Sequence, residues 1–288
     1  MNINVIFIIS LIYILKFLTK KKYQLNIDII NRKWEFFVES PLDQFEVRDL
    51  FSLKANILGN MNFSLTNIGL YLTISTLIIL TYSLLASNNN KIIPNNWSIS
   101  QESIYATVHS IVVNQINPTR GQIYFPFIYG LFIFILVNNL VGLVPYSFAS
   151  TSHFVLTFWI SFTVVLGATI LGFQRHGLRF FSLFVPSGCP LGLLPLLVII
   201  EFISYLSRNV SLGLRLGANI LSGHMLLSIL SGFTYNIMTS GILFFFLGLI
   251  PLAFIIAFSG LELAIAFIQA QVFVVLTCSY IKDGLDLH

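Results

Sequence analysis

Charged side chains are scarce in this sequence. They make up 9% of the 288 residues, against roughly a quarter in an ordinary soluble domain, while 56% of the residues are hydrophobic. The net charge is only +4, and the lysines and arginines form no run that suggests nucleic-acid binding. Several apolar runs reach the length of about 20 residues that is needed to cross a bilayer. The composition therefore indicates an integral membrane protein with no nucleic-acid partner.

Cysteine and recognisable catalytic motifs are also lacking. The two cysteines, Cys189 and Cys278, are far apart and have neither CxxC nor Cys/His spacing, so we interpret both as packing residues. A disulfide framework or zinc site has little support, and we expect no metal and no cofactor. The sequence contains no HExxH, no GxSxG and no paired aspartates, which argues against an intramembrane enzyme. We expect no catalytic chemistry from this chain alone.

Residues 1–39 are predicted to be a leader or an N-terminal extension. The stretch from Asn4 to Leu18 is mostly apolar and is followed by three lysines, which fits either a signal anchor or a removable leader. A secretory signal peptide fits less well because its basic region should come first. Residues 23–62 are mixed and polar, so we predict that they lie outside the bilayer.

Three membrane spans are predicted at about Ser64 to Ala86, Ile123 to Val144 and Phe154 to Phe173. A polar break at residues 88–91 follows the first span. Positive charges then favour one side of the membrane for residues 87–122 and 174–188, together with the C-terminal Lys282.

The piece from Trp97 to Asn117 has the pattern of an amphipathic helix. Polar residues occupy its other faces, which predicts a helix that lies on the membrane surface. A buried helix of a soluble domain would have the same pattern, but the chain offers no such domain. The apolar residues with helical spacing are Ile104, Val108, Ile111 and Val112.

Two further apolar segments are too long for ordinary spans. The stretch from Leu196 to Gly232 lacks proline and would form a helix of roughly 55 Å, against a hydrocarbon core of about 30 Å. Leu252 to Tyr280, after Pro251, would be roughly 44 Å long. We predict a strongly tilted two-helix hairpin with a short loop around residues 235–240. The alternative is a break in the first helix at Gly213, Gly217 or Gly223.

Polar residues form a stripe along the first of these helices. At about 100° per residue they fall within one arc of roughly 80°. The charges on it are spaced by seven residues, or roughly 10.5 Å, so we predict that they do not neutralise each other and that partners come from another helix or chain. One candidate partner is Glu262 on the second helix. The stripe consists of Glu201, Ser204, Arg208, Ser211, Arg215, Asn219 and Ser222.

These buried polar residues suggest proton translocation. Arg215 lies deep in the helix and its guanidinium keeps its proton, so it can supply a fixed charge but cannot carry protons. His224 points about 180° away from the stripe. Glu262 and Gln269 share a face of the second helix, and a histidine and a glutamate can both exchange protons when their surroundings perturb them. The simpler interpretation of a lone histidine or glutamine is a contact between helices.

Residues 211–219 (SLGLRLGAN) and 222–224 closely resemble the signature of subunit a of F-type ATP synthases. Glu262, Gln269, Ala270 and Gln271 are similar to the final helix of that family. Residues 40–51 resemble the N-terminus of mitochondrial, especially fungal, members, and residues 138–145 are also typical. The resemblance covers residues 40–288, which would form the subunit a membrane domain. It also suggests cleavage before Ser40.

The resemblance implies the proton-conducting subunit of the membrane sector of ATP synthase, a multi-pass protein of the mitochondrial inner membrane. Such a subunit lies beside a rotating c-ring, and the peripheral stalk and other membrane-sector subunits would be further partners. Two proton half-channels would meet the ring, and flow through them would drive ATP synthesis. Small residues would allow close approach to the ring, namely Gly213, Gly217 and Ala218, although many members have a bulkier residue in place of Gly217.

The resemblance also implies residue roles. Arg215 would lie between the half-channels and favour the ionised form of the ring carboxylate. Glu262 and His224 would form the relay from the intermembrane space, and Glu201 would belong to the matrix-side exit. Asn219 and Gln269 would be polar supports near Arg215, with Arg208 and Ser211 as supporting residues. The alternative function is a secondary transporter or antiporter subunit, although no internal repeat typical of such folds is evident.

Overall fold

The computed structural model describes residues 43–55, 61–87, 95–116, 118–144, 147–185, 192 and 194–285. The predicted leader, the cleavage site before Ser40, the polar break at residues 88–91 and Cys189 lie outside the described residues. Cys278 is fully buried, as its interpretation as a packing residue requires.

Helices dominate the described chain, and a single β-hairpin precedes them. The described residues also contain three short 3-10 helices, at Asp43–Phe45, Ser150–Ser152 and Gly177–Phe184. The hairpin and the α-helices are β1 (Asp49–Ala55), β2 (Met61–Thr66), α1 (Asn67–Ala86), α2 (Asn96–Ile116), α3 (Pro118–Gly142), α4 (Phe154–His176), α5 (Leu194–Thr239), α6 (Ile242–Leu247) and α7 (Leu249–Leu285).

The described residues contain five helical segments long and apolar enough to cross a membrane. They are α1, residues 121–142 of α3, α4, α5, and the stretch Ile242–Leu285 that includes α6 and α7. The three short spans predicted from the sequence differ from α1, α3 and α4 by only a few residues at each end. The prediction of an all-α, multi-pass membrane protein is confirmed.

The β-hairpin was not predicted. Strand β1 pairs antiparallel with β2, so that Asp49 lies opposite Thr66. The Thr66 hydroxyl then accepts a hydrogen bond from the Gly69 N–H at 3.5 Å, which caps the first turn of α1. The hairpin is short and its composition is mixed, so alternation was too weak to distinguish these strands from a polar loop.

Helix α2 buries one narrow apolar face. Val108, Val112 and Ile116, which recur every four residues, are buried in the cluster that α3 and α7 also form. Ile104 and Ile111 pack beside them and are partly buried. The amphipathic pattern is therefore confirmed, while the position of α2 on the membrane surface stays a prediction.

Helix α5 runs without a break for 46 residues, from Leu194 to Thr239, or roughly 69 Å. The continuous helix predicted from the sequence is confirmed, the alternative of a break at a glycine is wrong, and the helix extends through most of the predicted loop. Hydroxyl groups in this part of the chain form hydrogen bonds with backbone carbonyls of the same helix. For example, Thr239 Oγ1 donates to Tyr235 O at 3.0 Å. Helix α7 has 37 residues and accommodates Pro251 in its first turn, where a missing N–H costs little. The strong tilt predicted for the two-helix hairpin, which α5 and α7 form, stays a prediction.

Close packing joins α4 to α5. A Cβ atom added at Gly217 would lie 3.1 Å from Phe154 Cδ1 and 3.2 Å from Thr157 Oγ1, and Gly213 is similarly confined by Phe158. Gly213 and Gly217 therefore serve contact within this chain and do not face an outside partner. Ala218 alone of the three small residues lies on the exposed face.

The C-terminal ends of α4 and α7 lie together. His176 Nε2 is 3.0 Å from Leu285 O, and a Cβ atom added at Gly284 would lie 3.0 Å from Ala168 O. The positive loop after α4 and Lys282 are therefore at the same end of the bundle, as the charge pattern predicted. The compartment that this end faces stays a prediction.

Candidate functional site

Helix α5 presents an exposed polar face that carries Arg215. The opposite side of the helix is buried, since Leu212, Leu216 and Ile220 pack inside the bundle. None of the ion pairs or hydrogen bonds found among the described residues involves Arg215. An unpaired charge on a membrane helix is costly, so this surface requires a partner from outside the chain. An open depression of about 560 Å³ surrounds Arg215 and is lined by Ser207, Val210, Ser211, Leu214, Arg215 and Ala218.

Glu201 and Arg208 contact each other, which corrects the prediction that charges seven residues apart stay separate. Arg208 Nη2 lies 3.5 Å from Glu201 Oε1, with both side chains about half exposed (53% and 45%). Side chains on a helix lean towards its N-terminus, so the long arginine bridges two turns to reach the carboxylate. The prediction considered only the spacing of the residues along the helix axis and neglected the length of the arginine side chain. Arg215 has no carboxylate at the corresponding position, because Arg208 occupies it.

Glu262 lies at a close contact between α5 and α7. A Cβ atom added at Gly223 would be only 2.5 Å from Glu262 Oε1. That oxygen is buried and has no hydrogen-bond partner in the described part of the chain. Glu262 therefore does not pair with Arg215, although the sequence made it a candidate partner.

A cavity of about 190 Å³ adjoins Glu262. Its volume gives room for several water molecules, and water would satisfy the buried carboxylate oxygen. The site therefore suits a carboxylate that exchanges protons with enclosed water. The lining residues are Leu143, Asn219, Ile220, Ser222, Gly223, Leu226, Phe258, Leu261, Glu262 and Ile265.

His224 faces away from the Arg215 surface, as its helical position predicted. Its ring lies near the backbone of Gly142 at the end of α3. The Phe45 ring packs against it with ring centroids 6.2 Å apart. His224 Nε2 is buried and unpartnered among the described residues. His224 and Glu262 form no hydrogen bond with each other there, although Gly223, the neighbour of His224, contacts the carboxylate.

Asn219 and Gln269 join α5 to α7. Asn219 Nδ2 donates to Gln269 Oε1 at 3.1 Å, and Gln269 is buried with only 4% of its surface exposed. Asn219 lies one turn after Arg215 and also lines the cavity beside Glu262. The amide pair thus lies between the arginine surface and the carboxylate cavity.

A buried amide pair on α3 belongs to the same region. Asn138 Oδ1 accepts from Ser75 Oγ at 2.9 Å and Ser150 Oγ at 3.1 Å. Asn139 Nδ2 donates to Ala266 O on α7 at 3.4 Å. The sequence marked these asparagines only as part of a family motif. Their signal was two adjacent amides inside an apolar span, where polar groups need partners.

Asp283 was also missed. It lies close enough to Tyr205 and Tyr280 to interact with both, and Arg208 interacts with the same two tyrosines. The sequence analysis placed Glu201 and Arg208 at one end of the stripe but did not predict which residues of α7 lie near them. The available signal was a carboxylate in the last turn of a long apolar helix.

Enlarging Gly223 should displace the Glu262 carboxylate. For Gly223→Ala we expect a several-fold loss of proton conduction, because the new methyl group would occupy the space of Glu262 Oε1. Gly232→Ala is the matched control, since nothing lies within 4 Å of a Cβ atom at that position of the same helix. Proton uptake by vesicles with equal amounts of assembled protein measures the effect. Equal rates for the two variants would contradict the assigned contact.

The fold and the site together define a class, the multi-pass helical membrane proteins that translocate ions through buried polar groups. Residues 69–282 match the family described as ATP synthase A chain. The chain belongs to this family. It is accordingly a proton-conducting subunit of the membrane sector of ATP synthase, and the alternative of a secondary transporter is not supported.

Relatives in fungi cover most of the chain. It is 86% identical over 252 residues to ATP synthase subunit a of Emericella nidulans, a match that covers 88% of this chain and 98% of the relative. The corresponding protein of Penicillium chrysogenum is 89% identical over 252 residues, with the same coverage. That of Mycosarcoma maydis is 49% identical over 253 residues, covering 88% of this chain and 99% of the relative.

Proposed function

We propose that this chain forms two proton half-channels that end on either side of Arg215, against a rotating c-ring in the mitochondrial inner membrane. The observation that carries the proposal is the placement of two carboxylates on either side of an unpaired arginine along α5. The residues proposed to act are Arg215, Glu262, His224, Glu201, Asn219 and Gln269, with Arg208 and Ser211 as supporting residues.

The two carboxylates are offset along the helix axis. Glu262 contacts Gly223, which is eight residues after Arg215 and so about 12 Å further along α5. Glu201 is fourteen residues before Arg215, or about 21 Å in the other direction. The two carboxylates are therefore about 33 Å apart along the axis of α5, with Arg215 between them. A proton entering at one carboxylate therefore has to pass Arg215 before it reaches the other.

Glu262 and His224 act as the relay on one side. The buried carboxylate faces a cavity with room for water, so protons reach it through water or through His224. Asn219 and Gln269 cannot titrate, but their paired amides orient water between this cavity and the turn that carries Arg215. Protons then pass to a carboxylate on the ring.

Arg215 separates the two paths. Its fixed positive charge attracts an ionised ring carboxylate in surroundings where charge interactions are little screened, so each ring subunit gives up its proton before it passes. The same charge repels a proton that would cross directly. Each proton that crosses 100 mV releases about 2.3 kcal/mol, and this barrier couples that energy to rotation.

Glu201 provides the exit on the other side. Its ion pair with Arg208 is half exposed, and Arg208 adjoins the group formed by Tyr205, Tyr280 and Asp283. Of these side chains, the Glu201 and Asp283 carboxylates can accept a released proton near this end of the two-helix hairpin. The peripheral stalk would hold the chain in place while the ring turns.

Disulfide cross-linking tests the ring-facing surface. We expect Leu214→Cys, one residue from Arg215 and 41% exposed, to form a disulfide with a cysteine placed near the ring carboxylate. Leu84→Cys on α1 is the control, because Leu84 is 71% exposed on a helix that does not carry the arginine. Cross-linking of both residues to the ring, or of Leu84→Cys alone, would contradict the proposed docking face.

A further inference from the structure

The 3-10 helix Asp43–Phe45 lies against α5 beside His224. The rings of Phe45 and His224 meet edge to face, with centroids 6.2 Å apart and an interplanar angle of 79°. This is a favoured geometry for aromatic pairs. Phe45 is half-buried, whereas the nearby apolar residues Val47 and Leu50 are exposed by 47% and 46%. Phe45 is thus the apolar side chain of residues 44–50 that is most closely packed.

Neighbouring contacts hold this segment in place. Arg48 O accepts a hydrogen bond from the Asn67 N–H at 3.2 Å, at the first residue of α1. The hairpin β1–β2 then connects the segment to α1 by a paired register that starts at Asp49 and Thr66. The contact between Phe45 and His224 therefore belongs to a segment that is fixed to the membrane helices.

The His224 ring has two neighbours of different kinds. The backbone of Gly142 lies near the ring, and the Phe45 ring packs against it in an edge-to-face geometry that restricts its rotation. Nε2 is left buried and unpartnered among the described residues. With the ring orientation fixed, that nitrogen has one direction in which to exchange a proton.

We infer that Phe45 is a positioning residue that holds the His224 ring in the orientation needed for proton transfer. The 3-10 helix thereby forms the wall of the relay on the side away from the ring of c subunits. This inference gives a role to part of residues 40–51, the segment that resembles the N-terminus of mitochondrial members and that precedes the membrane helices. The inference rests on the proposed relay function of His224.

Variants of Phe45 in the assembled complex test this role. We expect Phe45→Ala to lower the rate of ATP-driven proton pumping several-fold without reducing the amount of complex, because Phe45 is only half-buried. Phe45→Tyr keeps the ring edge and should restore the rate. Val47→Ala, an exposed apolar residue of the same segment, is the control and should leave the rate unchanged.

A double-mutant comparison separates positioning from general packing. In a His224→Ala background, which should itself pump slowly, Phe45→Ala should cause no further loss. A loss of equal factor in both backgrounds, or a normal rate for Phe45→Ala alone, would overturn the positioning role while leaving the relay intact. A normal rate for His224→Ala alone would instead refute the relay, and the positioning role with it.

Discussion

Replacing Arg215 with alanine is expected to abolish ATP-driven proton pumping while the complex stays assembled. The side chain is exposed, and no hydrogen bond or ion pair among the described residues depends on it, so its loss should not disturb the packing of α5. The variant lacks the positive charge that, in the proposed mechanism, makes each ring carboxylate give up its proton. Without that charge, a protonated ring subunit passes between the half-channels and rotation is no longer coupled to transport.

Pumping can be measured by acidification of vesicles that contain equal amounts of the complex. Arg175→Ala is the matched control, because Arg175 is an exposed arginine in the last turn of α4 and does not belong to the polar stripe of α5. The control should pump at the normal rate. Near-normal pumping by Arg215→Ala would refute the proposed role of this residue.

Replacing Glu262 with glutamine should slow proton flux by about tenfold or more, since a proton-transferring side chain typically contributes 10²–10⁴-fold. Glutamine has nearly the same shape, so the close contact with Gly223 should persist and assembly should not change. The amide cannot release a proton, however. Transfer would then depend on His224 and on water in the cavity.

Glu102→Gln serves as the control for this change, because Glu102 is an exposed carboxylate on α2. Proton flux through the membrane sector, driven by an imposed pH gradient, is the appropriate readout, together with the amount of assembled complex. A flux in Glu262→Gln equal to that of the control would remove Glu262 from the relay.

Much of the fold could be predicted because apolar runs of bilayer length are typical of membrane-spanning helices and rare elsewhere. The spans α1, α3 and α4 are evident from hydropathy, and the absence of proline between Leu196 and Gly232 indicated a single long helix. The residues that line the site were conspicuous for the opposite reason. Asn219, Glu262 and Gln269 are polar groups in apolar helices, where each needs a partner or a function.

Several features of the site depend on contacts that periodicity does not contain. Helical angles place Gly213 and Gly217 on a face but do not say which helix covers it, and α4 covers it here. The axial spacing of Glu201 and Arg208 predicted no contact between them. The arginine side chain is long and leans towards the N-terminus of the helix, so it reaches the carboxylate. The contact of Phe45 with His224 joins residues 179 positions apart, which no local pattern reveals.

The partner that we propose for Arg215 belongs to another chain, so this sequence alone could not specify it. The amino-acid pattern shows an unpaired cation, and the fold shows that it faces outward next to an open depression. Together they define the chemistry of the missing group, an acid that approaches from outside the bundle.

An experimental structure of the assembled membrane sector would test the central claim most directly, through the distance between the Arg215 guanidinium and the nearest ring carboxylate. We predict that the two lie in direct contact or are joined by one water molecule, with separate water-filled paths ending near Glu262 and near Glu201. Arg215 facing lipid, or paired with a carboxylate of a stationary subunit, would contradict the proposed mechanism.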